Sequence, residues 1–118
     1  MTGALAVEPA AIAGTPGLAV AGELDAATAP VLETALREAL IDTTGTFVID
    51  LDGLAFMDST GVTALLRARS LLGREDRRLV LVCRPGPVRR VLELVGVADV
   101  FPALASRAEA ERALVLAD

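Results

Sequence analysis

The segment at residues 47–61 has the sequence FVIDLDGLAFMDSTG and decides the fold class. Its first part, residues 47–51, is rich in β-branched and large apolar side chains, which is typical of a buried strand. From Ser59 to about Leu72, apolar residues recur at helical spacing. The run at 77–83, which is apolar from Leu79 onward, predicts a further interior strand. A helix between two such strands indicates a parallel crossover and therefore an α/β protein.

The sequence on either side continues this alternation without a repeat or a linker. Turn residues and helix start and stop signals delimit the elements. The further predicted elements are a hairpin of strands at 5–7 and 18–20, a helix from Pro30 to about Asp42 with a Glu33–Arg37 pair on its surface, a helix at 87–95, an edge strand at 97–101 and a helix that begins with the capping residues Ser106 and Glu109. We expect a single domain over residues 1–118, because this length allows one core. Its fold should be α/β, with a mixed β-sheet of four to five strands and about four α-helices.

Composition and charge narrow the classes of function. The formal net charge is -5, which opposes a general affinity for nucleic acid or for anionic membranes. The chain contains no histidine, and so it lacks the commonest general base and the commonest metal ligand. We therefore expect no metal, no cofactor and no enzyme activity, and we expect a protein as the partner.

Three further features predict a cytoplasmic location. Cys83 is the only cysteine, so it cannot form an internal disulfide, and its apolar surroundings suit a reducing compartment. The first residues lack the basic region of a signal peptide. No apolar stretch approaches the roughly 20 residues that a membrane-spanning helix needs.

The motif Asp58-Ser59-Thr60-Gly61 carries the most functional information, because it delivers two hydroxyls to the start of a helix. The free N–H groups and the dipole of a helix N-terminus favour negative charge, so a phosphate could be accommodated there. Gly61 costs about 1 kcal/mol relative to alanine in a helix, which indicates a close approach to its backbone. The simpler interpretation is that Asp58 or Ser59 only caps the helix.

Beyond this motif, the order and spacing of several segments resemble the STAS family over almost the whole chain. These segments are GELDAATA at 22–29, a helix, the strand at 47–51 and DSTG at 58–61. Within the family, the resemblance is to the anti-sigma factor antagonists, in which the serine after the motif aspartate is phosphorylated by the partner kinase. The resemblance thus implies Ser59 as the acceptor, with Thr60 as the neighbouring alternative. It also implies that the segment with Glu23, Asp25 and Thr28 lies beside this site.

The function that this resemblance implies is partner switching in bacterial transcription. Unphosphorylated, the protein would bind an anti-sigma factor with serine kinase activity, which itself binds ATP and Mg²⁺, and a sigma factor would be released. Phosphorylation of Ser59 would prevent binding, and a phosphatase would restore it. The chain departs from many family members after the motif, where Val62-Thr63 replaces Leu-Gly.

Two other hypotheses belong to different classes of function. The protein could be a STAS subunit that regulates a membrane transport complex through the same helix face. It could also be an enzyme that uses Asp58, Ser59 and Glu23, although no proton shuttle accompanies these residues.

Two sets of polar residues around the motif leave alternatives open. On a helical wheel, Val62, Leu65, Leu66, Leu72 and Arg69 face the core, whereas Thr60, Thr63, Arg67, Ser70 and Arg74 face outward, with Ala64 and Leu71 at the border. The outward face is either solvated or a partner surface, and exposed arginine favours the partner surface. The acids Glu23 and Asp25 could cap a helix, bind a metal or act as acid and base. Two carboxylates make a poor metal site. The resemblance implies that they help the kinase to orient its nucleotide.

Overall fold

The computed structural model of the protein describes residues 3–97, 100–101, 103–104 and 106–116. In chain order its elements are β1 (Leu5–Pro9), β2 (Gly17–Leu24), α1 (Ala29–Ile41), β3 (Phe47–Met57), α2 (Ser59–Gly73), β4 (Leu79–Val82), α3 (Pro87–Val95), β5 (Ala103–Leu104) and α4 (Arg107–Leu116). The strands form one sheet in the order β1-β2-β3-β4-β5. The β1–β2 pair is antiparallel, and the other pairs are parallel. The expected mixed sheet with about four helices is confirmed.

Strand β3 lies at the centre of the sheet, and its first half is buried on both faces. Phe47 and Ile49 contribute to a large core with residues of α1, α2 and α3. Val48 faces the other way and packs with Ala110 of α4. Because side chains alternate across a strand, a strand covered on both faces is apolar at almost every position. This arrangement explains the run of apolar residues that opens the strand.

Strands β3 and β4 differ in length from their predictions. Strand β3 continues to Met57 instead of ending near Leu51, because β2 keeps pairing with it through two register shifts. Strand β4 is shorter than predicted and excludes Arg77. The N–H of Arg77 donates to the carbonyl of Leu72 at 2.9 Å, so it closes the end of α2 instead of entering the sheet.

The edge strand predicted at 97–101 is wrong for the described part of that segment, since residues 98 and 99 lie outside the described residues. The N–H of Val97 donates to Leu92, and the N–H of Val100 donates to Val97, which forms a turn after α3. The edge strand is β5 instead. The last helix begins as predicted, because the Ser106 hydroxyl accepts the N–H of Glu109 at 3.1 Å.

Candidate functional site

The site lies where β2 and β3 end. Parallel strands place their carboxyl ends at the same edge of a sheet, and here Leu24 is in register with Met57. One hydrogen bond joins the two chain segments, because the N–H of Asp58 donates to the carbonyl of Leu24 at 3.3 Å. The loop after β2 and the start of α2 are therefore neighbours, and the structure brings together two segments that are more than 30 residues apart in the sequence.

Asp58 is the N-cap of α2. Its backbone is extended, and its carboxylate oxygen Oδ1 accepts the N–H groups of Thr60 at 3.0 Å and Gly61 at 3.1 Å. The capping interpretation is thus correct for Asp58, and this carboxylate occupies donors that a phosphate would otherwise use. Ser59 is the first residue of the helix and is exposed, as is Thr60. Both hydroxyls are accessible to a partner.

Gly61 is buried in the first turn of α2 against the ends of β2 and β3. A Cβ atom at this position would lie 2.9 Å from the carbonyl oxygen of Leu24 and 2.6 Å from Cγ of Met57. The close backbone approach that the sequence predicted is therefore present. Only glycine lets the helix start this near to β2, and this contact places Ser59 beside the loop.

Replacing this glycine should cost stability although alanine favours a helix. We expect Gly61→Ala to lower the free energy of unfolding by about 1 kcal/mol, because overpacking costs about 1–3 kcal/mol and the gain in helix propensity is about 1 kcal/mol. Gly73→Ala is the matched control in the same helix, since no atom lies within 4 Å of its Cβ position. It should stabilise the protein by up to about 1 kcal/mol. Urea unfolding measures both, and equal stabilisation would contradict the close approach.

The loop after β2 is held by hydrogen bonds within itself. The carboxylate of Asp25 accepts the N–H groups of Ala27 at 3.0 Å and Thr28 at 3.2 Å. The buried Thr28 hydroxyl donates to the carbonyl of Glu23 at 2.8 Å and accepts the N–H of Asp25 at 3.0 Å. Asp25 thus closes the turn before α1 without capping this helix, whose N-cap is Thr28 and has no side-chain capping hydrogen bond. Thr28 fixes the shape of the loop.

Helix α2 meets both the sheet and α1, so its buried arc differs from the helical wheel. Ala64, predicted at the border, is buried, whereas Leu66 is half-buried and Arg69 is exposed. The inward direction predicted for Arg69 is wrong, because the packing of α1 moves the buried arc toward Ala64 and Ala68.

The outward residues of α2 are exposed as predicted, but one of them forms an ion pair that the sequence did not predict. Thr63 is exposed, and its hydroxyl donates to the carbonyl of Ser59 at 3.2 Å. The side chain of Arg67 is 72% exposed and forms an ion pair with Glu33 of α1 at 3.4 Å. Glu33 therefore pairs with α2 and not with Arg37 on its own helix. Arg67 is two turns from Ser59, or about 12 Å along the helix.

Phe56 is a site residue that the sequence does not reveal. An aromatic residue in a strand ordinarily predicts burial, yet Phe56 exposes 47% of its surface. It follows the half of β3 that is covered on both faces, and it pairs with Glu23 next to the loop. An exposed aromatic side chain three residues before Ser59 adds apolar surface to the site.

The described ranges hold no group of three or more His, Cys, Asp or Glu side chains that could bind a metal ion. Burial raises the pKa of the Cys83 thiol, and nearby Arg89 only partly opposes this shift. The thiol is therefore protonated at neutral pH and a poor nucleophile. None of the described helices is long and apolar enough to span a membrane.

Comparison with known proteins identifies the family. A family model for the STAS domain matches residues 8–110. The chain belongs to the STAS domain family. This STAS domain is 31% identical over 82 residues to an anti-sigma-B factor antagonist of Staphylococcus aureus, a match that covers 70% of this chain and 76% of the relative. It is 32% identical over 88 residues to the anti-sigma-F factor antagonist RsfB of Mycobacterium tuberculosis, covering 75% of this chain and 71% of that protein.

Solved structures with the same fold carry the same description. The STAS domain superposes on an anti-sigma factor antagonist from Mycobacterium paratuberculosis with a TM-score of 0.78 at 30% identity, over 92% of this chain and 94% of that chain. It also superposes on SpoIIAA, an anti-sigma factor antagonist in its unphosphorylated form, with a TM-score of 0.72 at 21% identity, over 93% of this chain and 97% of that one. The predicted family and fold are both confirmed.

Proposed function

We propose that this protein is an anti-sigma factor antagonist that is switched off by phosphorylation of Ser59. Unphosphorylated, it binds an anti-sigma factor with serine kinase activity in the cytoplasm and so frees a sigma factor. The observation that carries the proposal is the position of Ser59, which is exposed at the first residue of α2 beside a loop fixed by Asp25 and Thr28. The similarity to anti-sigma factor antagonists of two bacteria supports it.

The local geometry suits a kinase substrate that supplies no catalytic groups of its own. A kinase must reach the hydroxyl of Ser59 and hold the surrounding chain in one conformation. The Asp58 cap and the Leu24–Asp58 hydrogen bond hold this chain. Phe56 offers an exposed aromatic contact for the partner. The acids Glu23 and Asp25 lie at the end of β2 and directly after it, at the same edge of the sheet as Ser59, where they could assist the Mg²⁺ and nucleotide that the kinase binds.

Phosphate on Ser59 acts against partner binding more than against the fold. It adds about -1.5 to -2 charges beside Asp58, which already accepts the N–H groups of Thr60 and Gly61. The helix N-terminus therefore has few free donors for the phosphate, whose charge stays directed at the partner. A phosphatase that removes it would restore binding.

Phosphorylation with mass-spectrometric mapping tests this function. The kinase-type anti-sigma factors of the source genome are each incubated with the protein and ATP, and we expect one phosphate on Ser59. Ser59→Ala should remove it, and Thr60→Ala, the matched control, should retain it. Modification of Thr60 alone would move the acceptor by one residue. No phosphorylation by any of these kinases would refute the switch.

A further inference from the structure

A groove of about 580 Å³ runs between α1 and α2, beginning one turn from Ser59. Its floor is apolar and consists of buried residues from both helices, namely Leu32, Leu36, Ala64 and Ala68. The short side chains of the two alanines keep this floor low. On the α2 side, the half-buried Leu66 and Leu71 extend the apolar lining toward the surface. The groove thus offers apolar contact along its floor and its α2 wall.

The rim of this groove is positively charged, although the chain carries a net charge of -5. Three arginines and one glutamate line it, namely Arg37, Arg67, Arg74 and Glu33. Within the part of the chain that the structure describes, Arg37 and Arg74 form no salt bridge, and both are exposed. The ion pair of Arg67 with Glu33 is exposed as well, and such pairs contribute little stability. Arg37 and Arg74 can therefore donate hydrogen bonds to the carboxylates of a partner, and Arg67 can do so by exchanging its exposed pair with Glu33.

From this combination we infer that the α1–α2 groove binds an acidic amphipathic helix of a partner protein. A groove with an apolar floor accepts the apolar stripe of such a helix, and the arginine rim pairs with its flanking acids. The row from Thr63 to Arg74 is about 17 Å long, which matches about three turns of helix. The inference extends the partner surface beyond the phosphorylation site, and it rests on the proposed function only for the identity of the partner.

A peptide titration followed by NMR tests the groove without the kinase. The probe is a helical peptide of about 14 residues with leucine at every third or fourth position and glutamate at its flanks. The control peptide has lysine in place of each glutamate. With the ¹⁵N-labelled full chain, we expect the glutamate peptide to shift the amides of α1 and of residues 63–74 and to bind at least about tenfold more tightly than the lysine peptide.

Charge reversal of the rim provides the matched variants. The double variant Arg37→Glu and Arg74→Glu should bind the glutamate peptide about tenfold or more weakly than the unmodified protein does. It should bind the lysine peptide more tightly. Arg112→Glu, on α4 at the opposite face of the sheet, should leave both affinities unchanged. A native amide spectrum confirms that each variant is folded.

Three outcomes would overturn the inference. The first is the absence of amide shifts in the groove, and the second is equal binding of the two peptides. The third is a dimer that buries the groove of the free protein, seen by sedimentation and not displaced by peptide, which would make a second copy the occupant. None of these outcomes depends on whether Ser59 is phosphorylated, so the switch and the groove can fail separately.

Discussion

Phosphorylated at Ser59, the protein is expected to bind its anti-sigma partner about a hundredfold more weakly than the unphosphorylated form. The phosphate adds about -1.5 to -2 charges next to Asp58, and it must lose water to enter an interface. A helix N-terminus stabilises an exposed anion by only about 0.3–1 kcal/mol, and Asp58 already accepts two of the N–H groups at this helix start. A net penalty of about 3 kcal/mol corresponds to this hundredfold loss.

Isothermal titration of each form against the anti-sigma factor found in the phosphorylation assay measures this penalty. Ser59→Ala should bind as the unphosphorylated protein does, and Ser59→Asp should bind with intermediate affinity because aspartate carries less charge than phosphate. Thr44→Asp is the matched control, since the exposed Thr44 precedes β3 whereas Ser59 follows it at the opposite end. Equal affinities of the Ser59→Ala and phosphorylated proteins would disprove the electrostatic switch.

The largest loss of stability is expected at Arg77, a buried arginine between α2 and β4. Its guanidinium donates to the carbonyl of Gly45 at 2.8 Å, to the hydroxyl of Thr43 at 2.9 Å and to the carbonyl of Leu40 at 3.4 Å. Hydrogen bonds that involve a charged group contribute about 1.5–3 kcal/mol each, and a buried acceptor left without a donor costs about 1–3 kcal/mol. We expect Arg77→Met to lower the free energy of unfolding by about 3 kcal/mol.

Arg78→Met is the control for this prediction. Arg78 is the exposed neighbour of Arg77, and both variants replace an arginine side chain with that of methionine. It should change stability by less than about 0.5 kcal/mol. Chemical unfolding of both variants, with a check that the slope against denaturant is unchanged, gives the comparison. A small effect of Arg77→Met, similar to that of Arg78→Met, would contradict the prediction. It would mean that water satisfies the three acceptors when the guanidinium is removed.

The switch and the groove would share one helix if both predictions hold. Ser59 begins α2, and the groove follows the same helix from Thr63 to Arg74. A partner that fills the groove would thereby be held beside the phosphorylation site. Charge reversal of the rim should then lower the affinity for the partner whether or not Ser59 is phosphorylated. Modification of Ser59 should act only at the end of the groove that is nearest to it.

Several parts of the fold follow from local sequence signals. Pro87 and Gly96 delimit α3 as predicted, because proline suits the first turn of a helix and glycine the left-handed position after its end, where Gly96 has φ +84°. The Ser106 cap likewise fixes the start of α4. These signals act over three or four residues, so they can be read without knowledge of the tertiary structure.

The ends of the strands were less predictable, because they depend on interactions between residues distant in the chain. Strand β3 is longer than its apolar run because β2 continues to pair beside it, and β4 is shorter because the N–H of Arg77 is bound to Leu72. Strand pairing is a long-range interaction, and burial by neighbours decides where it ends.

For the candidate site, the sequence alone determined that Asp58 or Ser59 caps a helix, that Ser59 places a hydroxyl at the helix start and that Gly61 is a point of close approach; the structure assigns the cap to Asp58. The cap and the hydroxyl follow from what a helix N-terminus requires of its own residues, and the close approach follows from the poor helix propensity of glycine. Tertiary structure alone decided that Leu24 contacts the backbone of Asp58, that Glu33 pairs with Arg67 and that Phe56 is exposed. Such contacts join residues distant in the chain, and they depend on which faces the packed helices and strands turn toward each other.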